Sequence, residues 1–283
     1  MKAPRFAYAR PATVAEALAV LAEHGDEARI LAGGQSLVPM LNLRVAAPRV
    51  LIDINRIADL SGITVTQDHV RIGALTRHAE IERSADIARH LPLVAQAMPQ
   101  VAHAAIRNRG TFGGSCALAD PAAELPACAL ALDATFIVAG PKGERRVKAA
   151  EFFRGMYATA LGADELLVAA EFPLARPGYS SAFGELARRH GDYAMVGVAA
   201  HGSVADGRLS DVRVVFFGVG DRPLRATKLE RALEGKGASA IDRALDALDL
   251  DPRADLQASV ATKKHLARVL AGRTLAQLLP GDT

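Results

Sequence analysis

The chain has 283 residues, enough for about two domains at a typical size of roughly 150 residues each. Half of the residues are hydrophobic and 23% are charged, which fits a globular protein and excludes disordered and collagen-like chains. The net charge of +3 comes from 34 basic and 31 acidic residues, and the basic residues form no arm that could bind nucleic acid. Aromatic residues make up only 5%, so platforms for stacking bases are scarce.

Cysteine and histidine usage argues against metal sites. The two cysteines, Cys116 and Cys128, cannot supply the four ligands of a structural zinc site or an iron–sulfur cluster, and we interpret both as packing residues. The eight histidines lack the spacing of a metal motif, so we predict no metal ligand. We also predict no catalytic residue, because we find neither a nucleophile elbow nor a persuasive catalytic dyad.

The sequence also lacks membrane and export signals. No apolar stretch approaches the roughly 20 residues that span a bilayer, and the N-terminal residues lack the apolar segment of a signal peptide. We therefore expect no membrane span and a cytoplasmic location.

Helical and extended patterns alternate through the first part of the chain. Thr13 and Glu16 have the spacing of a capping box, which predicts a helix that begins there. Apolar runs and helical periodicity predict the following elements. Strands are expected at Ala28–Ala32, Val50–Ile54, Ile63–Thr66, Val70–Ile72, Ala134–Ala139 and Arg145–Lys148, and helices at about Arg77–Glu82 and Ser84–Met98.

A change of composition at Pro173–Gly178 predicts a domain boundary. Three strands are expected beyond it, at Ser180–Arg188, Met195–Val204 and Leu209–Phe217, and helices over Lys228–Leu279. This pattern predicts an α+β domain with a three-stranded antiparallel sheet and a helical bundle.

Two glycine-rich segments are the most informative feature. Ala32-Gly33-Gly34-Gln35-Ser36 follows a predicted strand, and Thr111-Phe112-Gly113-Gly114-Ser115 lies within Ile106–Pro126, which we interpret as a loop because it has little periodicity. Backbone without a Cβ can direct N–H groups at an anion, and two such loops on one ligand would suit a pyrophosphate. Neither spacing matches a nucleotide fingerprint, so tight structural turns and phosphate-binding loops both remain open.

The segments around these glycines resemble a known family. LAGGQSLVPMLNLRVAAPRVLIDINRI (Leu31–Ile57) and IRNRGTFGGSCALADPAAELPA (Ile106–Ala127) resemble the FAD-binding medium subunit of the molybdenum hydroxylases, the family of aerobic carbon monoxide dehydrogenase and xanthine dehydrogenase. The motif GDYA at Gly191–Ala194 extends the resemblance over nearly the whole chain. It implies an α+β fold in which a PCMH-type FAD-binding domain (1–175), with two α+β subdomains split near 55–60, precedes a C-terminal domain (176–283).

The resemblance also implies the residues that bind FAD. Ala32–Ser36 would wrap one side of the pyrophosphate and Thr111–Ser115 the other. Val101 would contact the flavin, and Glu124 would form a hydrogen bond with the ligand. Leu167 would contact the adenine end. Tyr193 would lie near the isoalloxazine ring, where it could gate access.

Three positions depart from the family pattern. Ser115 stands where the family commonly has asparagine, and its hydroxyl can still donate a hydrogen bond. Glu124 replaces a more usual aspartate and keeps its charge. Gly184-Glu185 stands where many members have a lysine.

The resemblance implies an FAD-carrying electron-transfer subunit of a heterotrimeric molybdenum hydroxylase. Electrons from a molybdopterin centre on a large subunit would pass through [2Fe-2S] clusters on a small subunit to FAD, and leave to an external acceptor. A dimer of heterotrimers is expected, and the two cysteines agree with clusters held on another chain. Two alternatives remain open, a self-contained FAD-dependent oxidase and a non-enzymatic flavin-binding module.

A small group of basic residues near the second glycine segment has two interpretations. His103, Arg107 and Arg109, and likewise Arg44, are either solvated surface residues or neutralise the phosphates of the cofactor or an acidic edge of a partner.

Overall fold

The computed structural model describes residues 2–279. The chain begins with a three-stranded parallel sheet in the order β1-β3-β2, with helices in the connections. The predicted helix start is confirmed, since the Thr13 hydroxyl accepts a hydrogen bond from the backbone N–H of Glu16 at 3.2 Å. The first strand was not predicted. The elements are β1 (Ala7–Ala9), α1 (Val14–His24), β2 (Ala28–Leu31), α2 (Leu37–Asn42) and β3 (Val50–Asp53).

A five-stranded antiparallel sheet follows, in the order β4-β5-β10-β6-β7. Its central strand was missed by the sequence patterns, although it is a buried apolar run that comes last in this part of the chain. The elements are β4 (Ile63–Val65), β5 (His69–Gly73), α3 (His78–Arg83), α4 (Ala85–His90), α5 (Pro92–Ala97), α6 (Ala104–Arg107), α7 (Phe112–Leu118), α8 (Glu124–Ala131), β6 (Thr135–Gly140), β7 (Gly143–Lys148), α9 (Ala149–Phe152), β8 (Phe153–Gly155), β9 (Ala158–Thr159) and β10 (Leu166–Pro173).

Two of the predicted segments differ from the structure. The expected loop at Ile106–Pro126 contains the whole of α7 and the start of α8. Its helices are short and rich in small residues, so helical periodicity gave no signal. The single helix expected at Ser84–Met98 is divided into α4 and α5, because Pro92 starts a new helix at its first position.

The C-terminal part forms an antiparallel sheet in the order β11-β12-β13-β14. The three predicted strands are confirmed, and a fourth strand of two residues adds to the edge. The predicted helical region is interrupted by a non-helical stretch at 248–259. Residues 280–283 of the expected domain lie outside the described residues. The elements are β11 (Tyr179–Leu186), β12 (Val196–Ala205), β13 (Arg208–Phe217), β14 (Leu224–Arg225), α10 (Thr227–Leu233), α11 (Ile241–Ala244) and α12 (Val260–Ala276).

The C-terminal sheet buries both of its faces. One face, with Val198 and Phe216, forms a core with the C-terminal helices. The opposite face, with Phe183, Ala199 and Phe217, joins the core that surrounds α5 and α8 of the preceding part. Strands β12 and β13 therefore pack directly on α8, and β11 packs on α5.

No helix among residues 2–279 is both long and apolar enough to cross a membrane.

Candidate functional site

The two glycine segments lie side by side at one end of the parallel sheet. Gly33 is buried against the backbone of Arg109 and Gly110, and a Cβ on Gly33 would come within 2.9 Å of the Gly110 Cα. Only glycine permits this approach. The turn after β2 and the segment before α7 therefore form one continuous surface.

Asn55 and Arg77 join the two segments. The Asn55 side chain donates a hydrogen bond to the carbonyl of Ala32 at 2.9 Å. The Arg77 guanidinium donates to the Asn55 side-chain oxygen at 2.6 Å and to the carbonyl of Arg109. Burial, together with the nearby charge of Arg109, lowers the pKa of Arg77. Sequence reasoning missed both residues, because only the fold brings them together.

The first segment presents a row of free backbone donors. Within residues 2–279, no oxygen accepts a hydrogen bond from the backbone N–H of Gly33, Gly34, Gln35 or Ser36. Gly34 has φ +73, and the Gln35 side chain donates to the carbonyl of Gly33 at 3.0 Å, which holds the turn. Unpaired N–H groups in a partly buried loop are costly unless an acceptor binds. This row suits an anion.

The second segment is built differently, because it is the first turn of α7. Its backbone N–H groups donate within the protein, from Phe112 to the carbonyl of Thr76 at 2.9 Å and from Gly113 to that of Ala74 at 2.8 Å. The remaining two, those of Gly114 and Ser115, both donate at 3.1 Å to Thr111, which caps the helix.

The expectation that the second segment turns its N–H groups toward a ligand is therefore wrong for these four residues. The donors that it can still offer are the hydroxyls of Thr111 and Ser115. Gly113 is required for packing, since a Cβ there would lie 2.5 Å from the Ala74 Cβ.

His78 packs against Gly110, the residue that precedes the second segment. Its backbone N–H donates to the carbonyl of Gly110 at 3.0 Å, and a Cβ on Gly110 would come within 2.9 Å of the His78 Nδ1. Both ring nitrogens are buried, and neither has a hydrogen-bond partner among residues 2–279. Burial, and then the charges of Arg107 and Arg77, lower the pKa of His78 to about 4, so the imidazole is neutral at pH 7.

The loop that carries Tyr193 packs on the turn that carries Val101. A Cβ on Gly191 would lie 2.5 Å from the carbonyl oxygen of Ala102, and Arg107 donates to the Val101 carbonyl at 3.0 Å. Tyr193 remains 64% exposed. Burial, and then the charges of Asp120, Glu124 and Asp192, raise the pKa of Tyr193.

The basic residues beside the second segment have separate surroundings. Arg107 is bound by Glu82 at 2.8 Å and supports the Val101 turn, so its role is structural. Arg109 and His103 are exposed, and neither forms an ion pair within the described part of the chain. Arg109 is left as the available cation next to the free N–H row.

The remaining predicted site residues are buried. Glu124 is the first residue of α8 and is 8% exposed, and burial, with the charge of Asp120, raises its pKa to about 7. Leu167 lies in β10 with its side chain in the core. Phe112 packs edge-on against Phe172, with ring centroids 5.9 Å apart. The side chains of Leu167 and Phe112 therefore belong to the hydrophobic core beneath the site.

The donor set fits a pyrophosphate. Four N–H groups that have no acceptor among residues 2–279 lie where the two segments meet, and the exposed Arg109 is next to them in the structure. Donors of these two kinds bind phosphate oxygens through charge-assisted hydrogen bonds. Among the other predicted site residues, Glu124 is buried and Tyr193 is exposed. The fold and the site therefore define a protein with an anion-binding loop whose donors suit a diphosphate.

Comparisons with known proteins specify this class. Residues 4–175 match the family model described as the FAD binding domain in molybdopterin dehydrogenase, and residues 181–278 match the CO dehydrogenase flavoprotein C-terminal domain. The chain is 40% identical to 6-hydroxypseudooxynicotine dehydrogenase complex subunit alpha of Paenarthrobacter nicotinovorans, over 99% of this chain and 96% of the relative.

Solved structures give the same assignment. Carbon monoxide dehydrogenase from Hydrogenophaga pseudoflava superposes with a TM-score of 0.95 at 39% identity, covering 98% of each chain. Quinoline 2-oxidoreductase from Pseudomonas putida 86 superposes with a TM-score of 0.93 at 36% identity, also over 98% of each chain. The chain therefore belongs to the FAD-binding medium subunits of the molybdenum hydroxylases. This confirms the resemblance, the α+β fold and the oxidoreductase assignment, and it supports neither the self-contained oxidase nor the non-enzymatic module.

Proposed function

We propose that the FAD pyrophosphate binds to the free N–H groups of the first glycine segment. The observation that carries this proposal is the row of four unpaired donors at Gly33–Ser36. The hydroxyls of Thr111 and Ser115 would contact the phosphates from the opposite side, and Arg109 would offset part of their charge. The flavin end would then lie toward Val101, Glu124 and Tyr193, and the adenine end toward Leu167.

FAD, when bound, supplies the redox chemistry, and the residues of this chain bind and orient it. The backbone donors fix the phosphates, while Asn55 and Arg77 keep the two segments at a constant separation. Because Tyr193 is exposed at the rim, its ring would cover the flavin and limit the access of solvent. Glu124 would place a carboxyl group beside the ligand.

We further propose the path of the electrons. Relatives are named medium chain or subunit alpha of a dehydrogenase complex, so we infer a large molybdopterin subunit and a small subunit with [2Fe-2S] clusters as partners. The assembly would be a dimer of heterotrimers in the cytoplasm, and FAD would pass electrons to an external acceptor. Both cysteines of this chain are buried, which supports clusters held elsewhere.

The proposed domain division follows the sheets. We propose an FAD-binding domain at 1–175 and a C-terminal domain at 176–283. The split of the first domain near 55–60 is supported by the interval between β3, which ends at Asp53, and β4, which begins at Ile63.

Hydrogen exchange tests the proposed pyrophosphate site. In the absence of FAD, the amides of Gly33–Ser36 should exchange fast, because they have no acceptor, and those of Phe112–Ser115 should exchange slowly. Addition of FAD should protect the first set strongly and leave the second nearly unchanged. If FAD binds and the amides of Gly33–Ser36 stay as fast as before, the pyrophosphate lies elsewhere.

A further inference from the structure

Asp53 lies at the carboxyl end of the parallel sheet, directly beside the first glycine segment. It is the last residue of the central strand β3 and is paired with Leu31, the residue before Ala32. The carboxyl ends of parallel strands form the edge at which such sheets bind ligands. Asp53 is only 7% exposed, and a buried carboxylate has to be compensated by groups of the protein.

Tyr8 and Asn55 compensate this carboxylate through hydrogen bonds. Its Oδ1 accepts from the backbone N–H of Asn55 at 2.9 Å and from the Asn55 side-chain nitrogen at 2.6 Å. Its Oδ2 accepts from the hydroxyl of Tyr8 on β1. Arg10 adds a positive charge, with its Nε 3.7 Å from Oδ2. The carboxylate of Asp53 therefore links the first strand of the sheet to Asn55.

Both groups of the Tyr8–Asp53 hydrogen bond are in the protonation state that the bond needs. Burial works against the charge of Asp53, but the hydrogen bonds from Tyr8 and Asn55 outweigh burial and lower the pKa of this carboxyl. The hydrogen bond to Asp53, and then burial, raise the pKa of the Tyr8 hydroxyl. At pH 7, Asp53 is therefore an acceptor and Tyr8 is a donor.

The contacts of the Asn55 amide fix which way round it lies. Its nitrogen faces two acceptors, the Asp53 carboxylate and the carbonyl of Ala32 at 2.9 Å. Its oxygen faces the Arg77 guanidinium, which can only donate. The reversed amide would place its oxygen against the carboxylate and its NH₂ group against the guanidinium, and both contacts would be repulsive. Asp53 and Arg77 together therefore keep the amide nitrogen on the Ala32 carbonyl.

The Ala32 carbonyl shares a peptide plane with the N–H of Gly33. In a trans peptide such as this one, the C=O and N–H bonds are coplanar and point in opposite directions. The hydrogen bond from Asn55 to the carbonyl therefore turns the Gly33 N–H away from Asn55. This N–H is the first donor of the row at Gly33–Ser36. Its direction is consequently set by Asn55, and through Asn55 by Asp53.

We propose that Tyr8 and Asp53 are positioning residues for FAD, which act through Asn55 to direct the Gly33 N–H at the pyrophosphate. The proposal rests on the proposed function, which places the pyrophosphate on the first glycine segment. Neither Tyr8 nor Asp53 has to touch FAD, because each acts on its neighbour in one hydrogen-bonded series.

The test uses the full chain and measures the dissociation constant of FAD. Tyr8 is 54% exposed, so Tyr8→Phe leaves a site that water can fill, and the variant should fold. The Asp53 carboxylate is then held less firmly on Asn55. FAD should bind about fivefold more weakly, as expected for the loss of one ordinary hydrogen bond.

Tyr179→Phe is the matched control for the loss of a tyrosine hydroxyl. The hydroxyl of Tyr179 also donates to a carboxylate, that of Asp211 at 2.6 Å, but both residues belong to the C-terminal sheet. This variant should bind FAD as wild type does.

A double-mutant cycle separates positioning from a general structural effect. Asn55→Ala removes the side chain through which Tyr8 acts, and should itself weaken FAD binding. In that background, Tyr8→Phe should cause no further change in the dissociation constant. A merely structural contribution of the hydroxyl would persist there, because Tyr8 can still donate to Asp53.

Hydrogen exchange of the Gly33 amide completes the test. At equal excess of FAD, its protection should be about fivefold lower in Tyr8→Phe than in wild type, while Phe112–Ser115 should exchange equally in both. Wild-type FAD affinity in Tyr8→Phe, or an equal loss with and without the Asn55 side chain, would overturn the inference while FAD binding to the first segment stands. If FAD gave the wild-type Gly33 amide no protection, the proposed pyrophosphate site would fail, and this inference with it.

Discussion

The two glycine pairs look alike in sequence but have different roles in the structure. Gly33-Gly34 lies in an irregular turn whose N–H groups have no partner within residues 2–279. Gly113-Gly114 lies in the first turn of a helix whose corresponding N–H groups are already used by Thr76, Ala74 and Thr111. One pair offers donors to a ligand, and the other allows a helix to sit close to its neighbour.

The difference shows that a glycine motif has to be judged by where its hydrogen bonds go. Adjacent glycines permit close approach in both segments. In the first segment, the groups that come close to the glycines are the proposed ligand on one side and the Arg109–Gly110 backbone on the other. In the second, the approaching groups are Ala74 beside Gly113 and the hydroxyl oxygen of Thr111 beside Gly114. Variants of the second segment should therefore affect stability first, and variants of the first should affect FAD affinity.

The largest expected effect is that of Gly113→Ala. The new methyl group would lie 2.5 Å from the Ala74 Cβ and 2.8 Å from its Cα and carbonyl oxygen, and backbone cannot yield as a side-chain end can. We expect a loss of about 3 kcal/mol in the free energy of unfolding, measured by urea denaturation of the FAD-free chain.

Gly272→Ala is the matched control for that substitution, because Gly272 lies inside α12. Within the described part of the chain, a Cβ there would meet only a Leu245 methyl, at 3.3 Å. Alanine is favoured over glycine in helices, so this variant should be as stable as wild type or up to about 1 kcal/mol more stable. If Gly113→Ala matched Gly272→Ala, the second segment would have room for a side chain and the comparison would fail.

Arg77→Met should affect both segments. It removes the hydrogen bonds to the Arg109 carbonyl and the Asn55 oxygen, and leaves two partly buried acceptors without a donor. We expect a loss of about 2 kcal/mol in stability and a FAD affinity at least about tenfold weaker, because the segments are no longer held together.

Arg77→Lys keeps the positive charge but not the two-pronged donor. It should recover part of the stability and little of the affinity, as followed by unfolding and by titration with FAD. If Arg77→Lys recovered both the stability and the FAD affinity in full, Arg77 would contribute only its charge and not the hydrogen bonds that join the two segments.

Sequence patterns predicted the architecture better than the details of the site. The strand at Val50–Asp53, the capped helix after Thr13 and the long strands of the C-terminal sheet depend on local hydrophobic patterns, and all were found. The strand at Leu166–Pro173 was missed, although it forms the centre of its sheet, because its partners are far away in sequence. The acceptor of the Gly113 N–H and the hydrogen bonds of Arg77 to Asn55 and Arg109 also lie far away in sequence. Local sequence patterns therefore could not predict them.

Thr111→Val should have a smaller effect, confined to the second segment. Valine has the same shape as threonine but cannot accept the hydrogen bond from Gly114. Loss of a helix cap costs about 1 kcal/mol. Thr111→Ser keeps the hydroxyl but removes a methyl group that is buried, so it should cost about 0.8 kcal/mol. An unfolding midpoint of Thr111→Val equal to that of wild type would show that the cap does not stabilise α7.

The smallest effect on stability is expected for Gln35→Ala, in the first segment. The Gln35 side chain donates to the carbonyl of Gly33, and this bond arranges the turn for a ligand without joining it to the core. The free energy of unfolding should change by less than about 0.5 kcal/mol, while FAD should bind about fivefold more weakly because a hydrogen bond of about 1 kcal/mol no longer preorganises the N–H row. Gln67→Ala, at an exposed turn, controls for the loss of a glutamine and should change neither quantity. A Gln35→Ala variant that lost stability as Thr111→Val does, with unchanged FAD affinity, would make the first segment a structural turn like the second.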